Sequence, residues 1–226
     1  MASNDPHPYL KTARRTLELE VEGIEALIAS LGDPFINAVE TMGTATGRVI
    51  VSGIGKSGHI GKKIAATLAS TGTPANFVHA SEASHGDLGM ITKDDVVLAL
   101  SWSGETAELR DLISYTKRFA IPLISMTSGN ESALAEAADI ALLLPKVAEA
   151  CPNGLQAPTT STTMQLALGD ALATALLERN GFDTNNYKDF HPGGKLGAML
   201  AHVSDIMHSG DELPVTSPDT PMSDAL

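Results

Sequence analysis

Arg48-Val-Ile-Val-Ser-Gly-Ile-Gly-Lys-Ser-Gly58 decides how this chain is read: a β-branched run that stops at glycines, a glycine-rich turn, and then Ile60 to Ala69, small and apolar enough for a helix packed on a sheet. The strand, turn and helix recur downstream. Ala75–Val78, Val96–Ser101, Pro122–Met126 and Ile140–Leu144 are short apolar runs, with helical segments over Thr106–Phe119 and Ser132–Ala138 between them. Strands covered on both faces read as continuous apolar runs, so the pattern predicts a doubly wound α/β domain with a parallel sheet.

Upstream, Leu10, Leu17, Val21, Ile24, Leu27, Ile28 and Leu31 recur at helical spacing, and Gly32-Asp33-Pro34 breaks the run, which predicts two helices between Tyr9 and Thr46. Downstream, Pro158 precedes a long buried helix marked by Met164, Leu168, Ala171, Leu172, Ala175 and Leu176, which stops near Asn180-Gly181. Residues 204–226 are rich in Pro, Asp and Ser and hold too few apolar side chains to pack alone. The expected organisation is N-terminal helices over 1–46 packing on a core over 47–203, followed by 204–226 as the start of a further module.

The 226 residues, 43% hydrophobic, suffice for one ordinary domain plus appendages. Fifteen Lys and Arg against 27 Asp and Glu leave a formal charge of -12, which repels a polyanionic backbone and argues against nucleic acid as a partner. Binding one phosphate needs only a few N–H groups and a cation, so a small phosphorylated metabolite stays open. A single cysteine, Cys151, forms no internal disulfide, which fits a reducing compartment, and the polar Met1–Pro8 lacks the apolar run of a signal peptide. The cytoplasm is the expected location, with no membrane contact.

In an open α/β sheet, ligands bind beyond the carboxyl ends of the strands. After the first strand, Gly53-Ile-Gly55-Lys56-Ser57-Gly58 formally matches a dinucleotide fingerprint and resembles a nucleotide phosphate loop. Ile50 stands where the phosphate loop needs glycine, and the second strand ends Phe77-Val78-His79 with no acid for a ribose. What survives is a turn aimed at a helix N-terminus, with Lys56 and Ser57 able to meet an anion. After the third strand, Ser101-Trp-Ser103-Gly-Glu-Thr106 clusters three hydroxyls, which suit a phosphate monoester; alternatively Ser103 is only a helix cap. Glu108 falls in the next helix's first turn, where the dipole favours the ionised form a general base needs, although such a group alone is more often a solvated helix-start carboxylate. Glu149 follows the last strand. His79, His85 and His191 sit beside strands or glycines, where an imidazole can serve as acid or base or play a structural part. His79 and His85 lack i, i+4 metal spacing and one cysteine precludes a thiolate cage, so no required metal is expected. Cys151 reads as packing.

Gly-Ile-Gly-Lys56-Ser-Gly-His, Glu82-Ala-Ser-His85-Gly-Asp-Leu-Gly-Met90, Ser101-Trp-Ser-Gly-Glu-Thr106, Glu149-Ala-Cys-Pro152 and His191-Pro-Gly-Gly194, in that order, resemble the arabinose 5-phosphate isomerase family of sugar-isomerase (SIS) domains from about residue 10 to 210. The resemblance implies a three-layer α/β domain of the flavodoxin-like SIS type with a mainly parallel sheet, a homotetramer, no required cofactor, and interconversion of ribulose 5-phosphate and arabinose 5-phosphate for Kdo and lipopolysaccharide synthesis. It implies catalytic roles for Lys56, Glu108, Glu149 and His191, and places Gly72, Thr73 and His85 around the substrate. The loop of Ser101, Ser103 and Thr106 matches the phosphate binder of related domains, and His79 matches a histidine that can take an inhibitory zinc. Two departures stand out. Trp102 replaces a small polar residue between the serines, and Asp205–Pro214 looks like the entry to a paired CBS module. Two other readings stay open: a sugar-phosphate sensor, disfavoured because the acidic N-terminus lacks a basic DNA-binding module, and an isomerase for another phosphosugar.

Overall fold

β1 (Val49–Gly53) lies inside a five-stranded sheet with β2 (Ala75–His79) on one side and β3 (Val96–Leu100), β4 (Leu123–Thr127) and β5 (Ile140–Leu143) on the other. The computed structural model describes residues 7–183, 190, 207–213 and 215–225. All four pairings are parallel, in the order β2-β1-β3-β4-β5, with Val49 opposite both Ala75 and Val96. This is the flavodoxin-like winding, which reverses direction between β1 and β3. β1, β3 and β4 are buried throughout, whereas β2 and β5 are partly open edges, which is why the inner runs are the most continuously apolar.

Helices cover both faces. Val49, Val51, Leu98, Leu100, Ile124 and Met126 point to one side, against α1 (Pro8–Ser30), α2 (Asp33–Thr44), α3 (Gly55–Ser70) and α7 (Thr160–Arg179). Ile50, Val97, Ala99 and Leu123 point to the other, against α4 (Ala80–Ala83) and α5 (Arg110–Phe119), with Leu134 of α6 (Ala133–Ala137) closing that layer. Alternation along each strand thus divides one sheet between two cores. At Gly169 of α7, an added Cβ would run into Ile64 of α3, so this glycine lets the two helices close on each other.

Three features depart from the sequence reading. α3 starts within the glycine turn, where Gly58 N–H donates to Ile54 O at 3.1 Å, so Lys56 and Ser57 belong to the helix's first turn. The helix expected over Thr106–Phe119 opens as a 3-10 turn, Ala107–Leu109, before α5 begins. The apolar residues of α1 do not share one fate: Leu27 is buried, while Leu10, Leu17, Val21 and Ile28 are exposed. The chain divides into two units, Met1–Phe182 and Asp183–Leu226. The second has a 3-10 turn at Gly210–Glu212 and one helical turn at Met222–Ala225 among its described residues.

Candidate active site

Because every strand runs the same way, the loops after β1, β2, β3 and β5 share one edge of the sheet, and with them Lys56, Ser57, His85, Ser101, Ser103, Thr106, Glu108 and Glu149. The first turn of α3 comes close to the ends of β1 and β3. A Cβ at Gly58 would lie 3.0 Å from Gly53 O, and one at Gly53 3.1 Å from Leu100 O. The N-cap residue, Ile54, makes no side-chain cap bond, so the leading N–H groups of α3 are left for an external acceptor. Lys56 is exposed and Ser57 half-buried beside them.

The β3 loop is stitched internally. Ser101, 3% exposed, shares a 2.7 Å hydroxyl–hydroxyl bond with Thr106 and accepts from Gly104 N–H at 3.0 Å. Of the three expected phosphate hydroxyls, therefore, two meet each other and Ser103 is the exposed one, accepting only from Glu105 N–H at 3.2 Å. Ser103 does not cap the following helical turn, whose N-cap is Thr106. Glu105, to which the sequence assigned no role, reaches across to accept from Ala133 N–H at the start of α6 at 2.8 Å. Trp102 packs on the core and its carbonyl accepts from Ser128 N–H at 3.0 Å and Ser128 Oγ at 2.9 Å, which ties the β3 loop to the β4 loop. Ser103 and Glu105 line a cavity of about 420 Å³ with Asn130, Glu131, Ser132 and Lys146.

Glu149 is half-buried at the N-terminus of α7. Its Oε2 accepts from Thr159 N–H at 2.7 Å, Thr159 Oγ1 at 3.0 Å and Ser161 N–H at 3.3 Å. Burial pushes its carboxyl up, but bonds from the Ser161 hydroxyl, the Thr159 and Ser161 N–H groups and the Thr159 hydroxyl outweigh burial and hold it below the ordinary 4.5. The depressed group stabilises the fold above its unfolded value, and that stabilisation is lost as pH falls through the folded value. Glu149→Gln keeps an acceptor but no titrating group, so its thermal midpoint should depend less on pH than the wild type's below about pH 5. Parallel thermal melts across that range check this. Glu108, by contrast, is exposed on the 3-10 turn.

The remaining candidates are spread more widely. His79 Nδ1 accepts from Ser81 N–H at 3.3 Å, capping α4, and His85 is exposed on the turn that follows. No group of three or more His, Cys, Asp or Glu side chains suited to a metal occurs among the described residues. Gly72 and Thr73 precede β2 and lie at the opposite, amino edge of the sheet, so a single chain does not bring them together with the other candidates. Gly72, at φ +91°, packs under the Phe182 ring, and the buried Thr73 hydroxyl has no hydrogen-bond partner among the described residues. His191 lies outside the described residues. No helix among them is long and apolar enough to cross a membrane.

The SIS domain profile matches residues 44–175. Arabinose 5-phosphate isomerase KdsD of Pseudomonas aeruginosa is 55% identical over 96% of this chain and 67% of its own length, and that of Yersinia pestis 52% identical over 96% and 66%. This chain thus spans about two thirds of the curated relatives it matches. The solved structure of Escherichia coli CFT073 c3406 in complex with arabinose 5-phosphate superposes with a TM-score of 0.79 at 41% identity, covering 85% of this chain and 100% of that one.

Proposed function

Since the chain belongs to the SIS-domain family, we propose that it is an aldose–ketose isomerase that interconverts D-ribulose 5-phosphate and D-arabinose 5-phosphate through an enediol and so feeds Kdo and lipopolysaccharide synthesis. One observation carries the reading: an uncapped helix N-terminus with Lys56, a hydroxyl loop and an oriented carboxylate share one sheet edge, in a chain 41% identical to a protein solved with arabinose 5-phosphate.

The reaction moves a proton between adjacent carbons, so one base serves both while other groups handle the oxygen protons. Glu149 is the base we assign: its hydrogen bonds keep it ionised and fix its orientation, which leaves Oε1 for the sugar. Lys56 stabilises negative charge on the enediol oxygens, and His85 or His191 exchanges protons with them. Ser57, Ser103 and the leading N–H groups of α3 receive the phosphate, with Ser101 and Thr106 holding the β3 loop in shape. No cofactor takes part. The protein works in the cytoplasm as a homotetramer, and residues 204–226 begin a CBS module. Gly72 and Thr73 join such a site only when another copy presents them.

Incubating the purified chain with ribulose 5-phosphate in deuterated water and following it by NMR tests the reading. The expected result is growth of arabinose 5-phosphate with deuterium at the exchanging carbon. Binding without conversion overturns it in favour of a sensor, and faster turnover of another ketose phosphate transfers it to a different isomerase.

A further inference from the structure

α1 carries two apolar faces and the fold uses one. Gly23 and Leu27 are buried and Ile24 packs partly on the core. Leu10, Leu17, Val21 and Ile28 are 54%, 61%, 55% and 64% exposed. At 3.6 residues per turn these four fall within roughly 20° of one line along the helix, a stripe about 27 Å long. Single exposed apolar residues are ordinary, but a continuous stripe at this spacing has the form of a helix–helix seam.

The stripe is symmetric about residue 19: Leu10 corresponds to Ile28, and Leu17 to Val21. Two copies of α1 laid antiparallel therefore match apolar residue to apolar residue along the whole seam. Charge selects that direction. Lys11, Arg14 and Arg15 come first along the helix and Glu18, Glu22 and Glu25 follow them, all exposed. A parallel pair puts these charged flanks on opposite sides of the seam, where they do not meet. An antiparallel pair sets Lys11 and Arg14 beside Glu22 and Glu25 of the second copy. The two Glu18 side chains approach near the axis, each within i, i+4 reach of its own Arg14.

We infer that α1 pairs antiparallel with α1 of a second copy through Leu10, Leu17, Val21 and Ile28, forming an isologous two-fold interface. This rests on the proposed homo-oligomer and names one of the contacts that build it. Light scattering of the whole chain, coupled to size exclusion, should show the wild type as an oligomer and Leu17→Glu/Val21→Glu at half its mass or less, with unchanged circular dichroism. An unchanged mass for the variant overturns the seam while the oligomer stands, and a monomeric wild type overturns both.

Lys11→Glu/Arg14→Glu should dissociate in the same way and reassemble when Glu22→Lys/Glu25→Lys is added; failure to reassemble counts against the pairing. In a Cys151→Ser background, oxidising Leu10→Cys mixed with Ile28→Cys should give a covalent dimer, and Leu10→Cys alone should not. Self-linking of Leu10→Cys overturns the antiparallel arrangement.

Discussion

Glu149→Gln is expected to lower kcat/KM for ribulose 5-phosphate by about 10²–10⁴, the usual contribution of a positioned general base, with the fold intact. The glutamine carbonyl can still accept from the Thr159 and Ser161 N–H groups that the carboxylate now caps, so the helix start is retained while the proton acceptor is lost. Glu149→Ala loses the cap as well and should unfold more easily by about 1 kcal/mol. Steady-state kinetics on Glu149→Gln and Glu108→Gln, each checked by thermal melting, separate the two carboxylates. Turnover near the wild-type rate in Glu149→Gln moves the base to Glu108. Parallel losses in both make the two act together on the proton.

Gly104→Val should be the most damaging single change to the β3 loop. Gly104 has φ +73°, a region β-branched residues essentially avoid, and a Cβ there would collide with Ser132 Oγ. Ser132 Oγ accepts from Ala135 N–H at 3.3 Å to cap α6 and donates to Gly129 O at 2.7 Å, so displacing it undoes both. Backbone strain and the lost cap together suggest a cost of about 2–4 kcal/mol, a large share of a typical domain's stability. Gly55→Val isolates the strain, because Gly55 also has positive φ, at +59°, but nothing lies within 4 Å of its added Cβ. Urea unfolding of both variants should place Gly104→Val well below Gly55→Val. Equal midpoints would mean that Ser132 yields at no cost.

Much of the fold was legible because parallel strands announce themselves. The apolar runs at 48–52, 75–78, 96–101, 122–126 and 140–144 fall within a residue or so of β1 to β5, since a strand covered on both faces tolerates few polar side chains. The site was legible mainly as a set of loops after those strands. The β3 loop shows what sequence leaves out: of its three clustered hydroxyls, Ser101 and Thr106 share a hydrogen bond and Ser103 is the exposed one. Glu105 went unnoticed because its partner, the Ala133 N–H, is 28 residues away and adjoins it only when β3 and β4 pair.

By itself, then, the sequence determined where the strands and the long helices lie, that the sheet is parallel, and that glycine, lysine, hydroxyl and carboxylate side chains gather at one edge of it. Those follow from periodicity and from local backbone chemistry, which neighbouring residues dictate. Only the tertiary structure decided that Ser101 and Thr106 share a hydrogen bond inside the loop, that Glu149 is held at the head of α7, that Gly72 and Thr73 lie at the far edge, and that α1 buries Leu27 while leaving Leu17 and Val21 bare. Periodicity counts the apolar surface an element offers, but which part of it meets a partner depends on neighbours supplied from elsewhere in the chain.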